Sequence, residues 1–412
     1  MGGPGLGGPA LRVSVLAATL TLTLAVQTEQ PVRAATPPRP FTTPSSAPGG
    51  DRPANHIWDV SALSPTDAWA VGSRSTRDGT IATTFHWAGA RWAKVTAPQP
   101  SQTQNTLQSV DAVTPSDVWA VGSYVDDTTG VVKTLVLHWD GAAWSQVPSP
   151  SRGSQVSVLW SVGADSPTDA WAVGNEGNGR HSFGFVLHWD GRRWAKVSVP
   201  NPSAAVTLRG VTALSPTDVW AVGGFQNTGT FAFDSLILHW NGTAWTEVEH
   251  PNPGPMDTYL WDASAVSAAD VWAVGDFYTR ARGNDHTLVL HWNGTRWAKV
   301  RSPNPSQRLS SLQAVDVLSP SDVWAVGSAG FVADHTESVR TVTLHWDGAS
   351  WSQVPAPDPS AVDNELFAVS ATSSQDAWAV GYEQNVRGID ATLAMHWDGA
   401  SWSQVVTPNA RR

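Results

Sequence analysis

The chain of 412 residues contains no cysteine. Disulfide frameworks, thiolate metal sites, cysteine nucleophiles and lipidated cysteine anchors are thereby excluded. Charge is sparse: 15% of residues are charged against 41% hydrophobic, enough apolar material for a packed core. Positive charge is scarcer still, with 25 Lys and Arg facing 35 Asp and Glu, a formal net charge of -10. Nucleic acid is therefore not expected as a partner, because phosphate binding draws on a surplus of basic side chains. Long hydrophobic runs are missing except near the N-terminus. There residues 13–26 are apolar, a run short of the roughly 20 residues a spanning helix needs, so no membrane insertion is expected.

Preceded by Arg12 and followed by Val32-Arg33-Ala34, that run reads as a secretory signal peptide over residues 1–34. The chain is expected to be secreted and extracellular after cleavage near Ala34. Residues 35–55, rich in Pro, Thr and Ser, read as a flexible leader. The basic residues are mostly Arg, as in chains from GC-rich bacterial genomes.

Tyr (4) and Met (3) are also few, yet there are 24 Trp. An excess of one aromatic type points to a repeated motif, and the repeat is plain. Trp-Ala-Val-Gly begins at Trp69, Trp119, Trp171, Trp220, Trp272, Trp324 and Trp378, at intervals of 50, 52, 49, 52, 52 and 54 residues. His-Trp recurs at His86, His138, His188, His239, His291, His345 and His396. Five residues after each of those Trp comes another, at Trp92, Trp144, Trp194, Trp245, Trp297, Trp351 and Trp402. The remaining Trp58, Trp160 and Trp261 hold one equivalent position in alternate units.

Each unit has four short segments, in the second copy residues 107–113 (A), 118–123 (B), 134–139 (C) and 144–147 (D). They are rich in Val, Leu, Thr and Trp and bounded by Pro, Asp, Gly or Ser, the signal for strands. Four strands per unit, seven times at about 50 residues, predict an all-β seven-bladed β-propeller of four-stranded antiparallel blades. It should span residues 56–408, with blades at about 56–98, 107–149, 159–200, 208–251, 260–303, 312–355 and 366–408. No spare strand is evident to close the ring, so blade seven is expected to pack on blade one.

Ser-Pro-Thr-Asp-x-Trp-Ala-Val-Gly followed by His-Trp-Asp-Gly-x-x-Trp resembles secreted bacterial propeller repeats. It is more distantly similar to the Asp-box repeats of sialidase-like and photosystem-assembly-factor-like propellers, although Asp140 and Trp144 are four apart where the Asp-box has five. The resemblance covers residues 56–408 and implies the fold. It leaves function open, since such propellers serve enzymes, lectins and assembly factors alike.

Seven turn aspartates, Asp67, Asp117, Asp169, Asp218, Asp270, Asp322 and Asp376, open segment B, and the seven His nearly close segment C. B and C are antiparallel neighbours, so each Asp should meet the His of its own unit. Seven equal copies read as scaffold; no catalytic residue, metal site or cofactor is assigned.

Function should lie where the copies differ. The A–B and C–D turns are nearly uniform, whereas the span from the motif Gly to the following His varies: 14, 16, 14, 16, 16, 18 and 15 residues. Loops B–C and D–A therefore form the diverse face. Near its channel mouth the inner strands carry Trp58, Gln108, Trp160, Arg209, Trp261, Gln313 and Phe367. Aromatic platforms beside amide and guanidinium groups suit sugar rings; the alternative is that they pack between blades. Asp126, Asp127, Glu176, Arg180, His181, Tyr278, Arg280, Arg282, His335 and Arg387 are further polar candidates, or simply solvated loop residues.

The expectation is a monomeric, non-catalytic binding propeller whose partner is carbohydrate or a cell-surface polymer. The alternatives are a platform for an extracellular protein and a sialidase-like glycan hydrolase or lyase. The resemblance implies a Tyr–Glu pair and an arginine cluster for the enzyme, and none of Tyr124, Tyr259, Tyr278 and Tyr382 has an acidic partner in an evident motif.

Overall fold

The computed structural model describes residues 54–151, 156–178, 180–254, 256–279, 284–333 and 336–408. The expected signal peptide, nearly all of the leader, and Arg280, Arg282 and His335 lie outside them. The region from Asp51 onward forms one compact unit.

The described residues contain 28 strands and no helix, grouped in consecutive fours with the order A-B-C-D. Blade two is typical: A is Asn105–Thr114, B Asp117–Val125, C Val132–Trp139 and D Trp144–Gln146, each antiparallel to the next. The chain is thus an all-β propeller. One parallel bridge, Val339 to Asp363, joins the sixth and seventh blades into a single sheet.

The strand sequences explain their places. In strand B of blade two, Val118-Trp119-Ala120-Val121-Gly122 is buried throughout, because neighbouring blades cover both faces. In the short outer strand, Trp144 is buried while Ser145 and Gln146 are exposed.

The Trp triplets join blade to blade. Trp69 meets Trp139 and Trp144 of the next blade at 4.8 and 5.2 Å between ring centroids, the second edge-on. Trp119, Trp171, Trp220, Trp272 and Trp324 repeat this contact around the ring. Trp378 of the seventh blade completes it on Trp87 and Trp92 of the first, at 4.7 and 5.0 Å. Such pairs are worth roughly 0.5–1.5 kcal/mol each beyond the area they bury.

Among the described residues the ring closes by packing, each blade keeping four strands consecutive in the chain. Ile57 and Val60 share a core with Leu366 and Val369. The Ala62 N–H donates to Ser370 Oγ at 3.0 Å, and His56, 3% exposed, pairs with Asp390 at 3.0 Å.

Candidate functional site at the channel mouth

The inner strands are Asn55–Ser64, Asn105–Thr114, Val156–Ser166, Val206–Ser215, Thr258–Ser267, Leu309–Ser319 and Asp363–Ser373. Every one is interrupted at the same place. In blade one Ile57 pairs with Gly72 and Asp59 with Val71, which leaves Trp58 as an extra, unpaired residue. The same bulge isolates Gln108, Trp160, Arg209, Trp261, Gln313 and Phe367. The seven sequence-derived candidates are therefore the seven bulge residues. A bulge bends the strand and re-aims one side chain.

The Gly of Trp-Ala-Val-Gly accounts for it. A Cβ at Gly72, Gly122, Gly174, Gly223, Gly275, Gly327 or Gly381 would lie 1.9–2.1 Å from an inner-strand carbonyl oxygen, a distance no side chain tolerates. Only glycine lets the two backbones approach closely enough there.

All seven bulge residues are half-buried. They form two aromatic groups separated by the glutamines. In one, the Arg209 guanidinium lies 4.1 Å from the Trp160 ring and 5.5 Å from the Trp261 ring, and Trp261 stacks on Tyr259 at 5.2 Å. Desolvation lowers the Arg209 pKa to about 10, which leaves it charged at neutral pH. In the other, Trp58 meets Phe367 at 4.7 Å and His56 at 4.9 Å, and Phe367 stacks on Tyr382. Gln313 Nε2 donates to Ser311 Oγ, while Gln108 Nε2 is buried without a hydrogen-bond partner among the described residues. The indole N–H groups are anchored in their own blades: Trp58 to Ser73 Oγ, Trp160 to Asn175 Oδ1 and Trp261 to Asp276 Oδ1, at 3.1, 2.7 and 2.6 Å. The ring faces are thus partly engaged with one another, in keeping with the packing between blades that stood as the alternative to open sugar platforms.

Below this ring the channel holds a cavity of about 180 Å³. Asp111 and Asp316 line it, and Asp59 and Asp262 are two further half-buried aspartates of the inner strands; the sequence reading passed over all four. Each accepts a backbone N–H from the next blade: Val110, Ala164, Val315 and Ala371, at 2.7–3.0 Å. Burial raises Asp59 and Asp262 to about 7 and Asp111 to about 6, and raises Asp316 as well. Their oxygens are committed to blade-to-blade bonds. The signal that could have found them is an Asp two or four places after the conserved Leu or Ile of the inner strand. No group of three or more His, Asp or Glu that could hold a metal occurs among the described residues.

The uniform face differs in kind. The seven His–Asp pairs, His86–Asp67, His138–Asp117, His188–Asp169, His239–Asp218, His291–Asp270, His345–Asp322 and His396–Asp376, lie at 2.5–3.1 Å. Each His also lies against its motif Trp, as His86 does on Trp69 at 4.5 Å. The Trp after each His donates to a carbonyl of the A–B turn, as Trp139 does to Pro115.

Tyr382 Oη donates to Glu365 Oε1 at 3.2 Å, an acidic partner that no sequence motif announces. Glu365 and Tyr382 face each other across strands A and B of blade seven, a juxtaposition that only the register creates. Burial and the nearby Glu365, Asp363 and Asp390 raise the phenol well above its ordinary pKa. A nucleophilic phenol needs the opposite shift.

Among the loop candidates, Asp126 pairs with Lys133, which with backbone N–H groups holds its carboxyl at about 2. Asp127 accepts from the Gln102 N–H and Ser101 Oγ, and buried Glu176 pairs with Lys196. His181 stacks on Phe183, and the Arg387 N–H caps Asn385. Tyr278 is half-buried, and exposed Arg180 lines a pocket between blades three and four.

No family model matches the chain, and no curated protein matches it. Solved structures do. An ulvan lyase bound to -[GlcA(1-4)Rha3S]- is similar over 86% of this chain and 96% of its own, with 11% identity and a TM-score of 0.53. A GH74 xyloglucanase from Xanthomonas campestris is similar over 86% of this chain and 55% of its own, with 13% identity and a TM-score of 0.55. YCF48 bound to D1 peptide covers 86% and 94%, at 17% identity and a TM-score of 0.49. At these identities the likeness is one of fold.

Proposed function

We propose that this chain is an exported, non-catalytic carbohydrate-binding propeller that reads a glycan or cell-surface polymer across its diverse face. The observation that carries the reading is the bulge ring. A backbone device repeated in every blade re-aims one residue, and at that position the copies carry Trp, Gln, Trp, Arg, Trp, Gln and Phe. Aromatic edges and faces pack on the C–H surfaces of pyranose rings, while amide and guanidinium groups hydrogen-bond to hydroxyls. The names of the ulvan lyase and the xyloglucanase, which share the fold, are those of polysaccharide-active proteins, and this supports the class of ligand. The elevated phenol of Tyr382 and the committed channel carboxylates speak for binding over turnover.

The test is a glycan array that includes bacterial wall polysaccharides, with intrinsic Trp fluorescence to follow each hit. Saturable binding, competed by free sugar and lost on Trp58, Trp160 or Trp261→Ala, is the expected result. A blank array overturns the reading and points to a protein partner.

A further inference from the structure

The B–C loops of blades two and four are the same turn built from different residues. In blade two the Asp126 N–H donates to Val131 O and the Gly130 N–H to Asp126 O; in blade four the Asn227 N–H donates to Ala232 O and the Phe231 N–H to Asn227 O. The Asp126 and Asn227 side chains each accept from the residues two and three further on. At the fifth position both turns need a positive φ. Gly130 supplies it at 69°, but blade four places Phe231 there, at 60°. A bulky side chain in the left-handed region is strained, and the twin loop shows that the turn itself asks only for glycine. Phe231 is also 75% exposed, so no burial offsets that strain. A bulky apolar residue that stands against both conformation and solvent points to a ligand.

Phe231 borders a pocket of about 150 Å³ between blades three and four, lined also by Arg180, Ser203, Ala205, Gln226 and Thr228. A dry cavity of about 150 Å³ takes one six-membered ring elsewhere. Arg180 comes from the other blade. Its backbone N–H is held by Asn178 Oδ1, and its exposed side chain makes no ion pair among the described residues, in a chain with a formal charge of -10.

We propose that this pocket is a subsite for an acidic pyranose, a uronate residue of a polysaccharide, with its ring on Phe231 and its carboxylate on Arg180. The inference rests on the carbohydrate reading of the diverse face and adds a place and a charge to it. A guanidinium fork matches a carboxylate in two parallel hydrogen bonds, and the exposed Thr228 hydroxyl is placed for a ring hydroxyl.

The experiment measures binding of the full chain to oligomers of polygalacturonate, alginate and hyaluronate and to their carboxyl-reduced forms. Wild type should prefer at least one acidic form by about tenfold. Arg180→Ala should abolish that preference and leave binding of the reduced form in place. Phe231→Gly should weaken both by about tenfold, with Tm unchanged or raised because the turn is relieved. A preference that survives Arg180→Ala, wild-type binding by Phe231→Gly, or no binding to any of the three acids overturns the subsite. A neutral glycan lost on Trp160→Ala and insensitive to Phe231→Gly sinks the subsite while the carbohydrate reading stands; a blank array sinks both.

Discussion

On the uniform face each repeated polar group is bonded within its own blade: His138 to Asp117, Trp139 to the Pro115 carbonyl, and the Ala142 and Ala143 N–H groups to Asp140. On the diverse face the equivalent positions differ from blade to blade, and their side chains meet across blades, as Arg209 meets Trp160 and Trp261. Identical copies meet identical needs, so a residue repeated seven times answers a demand of the blade. A residue that varies at a conserved backbone position answers something the blade does not require. The bulge sits on the boundary between the two, since its glycine is invariant and the residue it presents is not.

That comparison can be broken at the bulge itself. Gly174→Val would drive a side chain into the Val158 carbonyl, 1.9 Å from where its Cβ must sit. The expected loss is about 3 kcal/mol or more, read as a large fall in urea midpoint, with glycan binding lost alongside. On the uniform face, His239→Ala removes the bond to Asp218 and the contact with Trp220 at 4.2 Å. It should cost about 1–3 kcal/mol, and glycan affinity should not change; an affinity change would show that the two faces are not separate. On the diverse face the reverse is expected. Trp160→Ala should weaken glycan binding by about tenfold or more with a smaller effect on the urea midpoint.

A pH titration sharpens the contrast inside the channel. Asp59 and Asp262 sit near 7 and Asp111 near 6 in the fold, above the ordinary 3.8. Each binds its proton more tightly folded than unfolded, so its stabilising contribution is complete below about pH 4 and is lost as pH rises through 6–7. The urea midpoint should be higher at pH 5 than at pH 8, and Asp59→Asn with Asp262→Asn should flatten the difference; an unchanged slope would refute the assignment. The smallest effect is expected at Arg387→Ala, whose exposed side chain lies in a loop capped through its backbone. Stability should move by less than about 0.5 kcal/mol.

Much of this was legible in the residues. The period, the four segments and the His–Asp partners follow from spacing alone, because strand pairing places the start of B beside the end of C. The seven mouth residues were legible as a position, since they follow a conserved apolar residue at one place in each repeat. Their bulge was not, because a bulge depends on how two strands slide past each other, and that appears only as a glycine in the partner strand. Tyr382 and Glu365 are 17 residues apart and share no motif; register alone joins them. The channel aspartates escaped notice because they sit at two different offsets in four of the blades.

The sequence by itself determined the repeat, the blade and the chemistry of the scaffold, since these are local patterns copied seven times. Tertiary structure decided how the ring closes, through Trp378 on Trp87 and Trp92 and through His56 on Asp390. It also decided that the mouth aromatics gather into two groups, and that Phe231 stands where its twin loop has glycine. The reason is one of range: strand patterns and turns are set by neighbours in the chain, whereas contacts across blades and around a ring join residues that only the closed fold brings together.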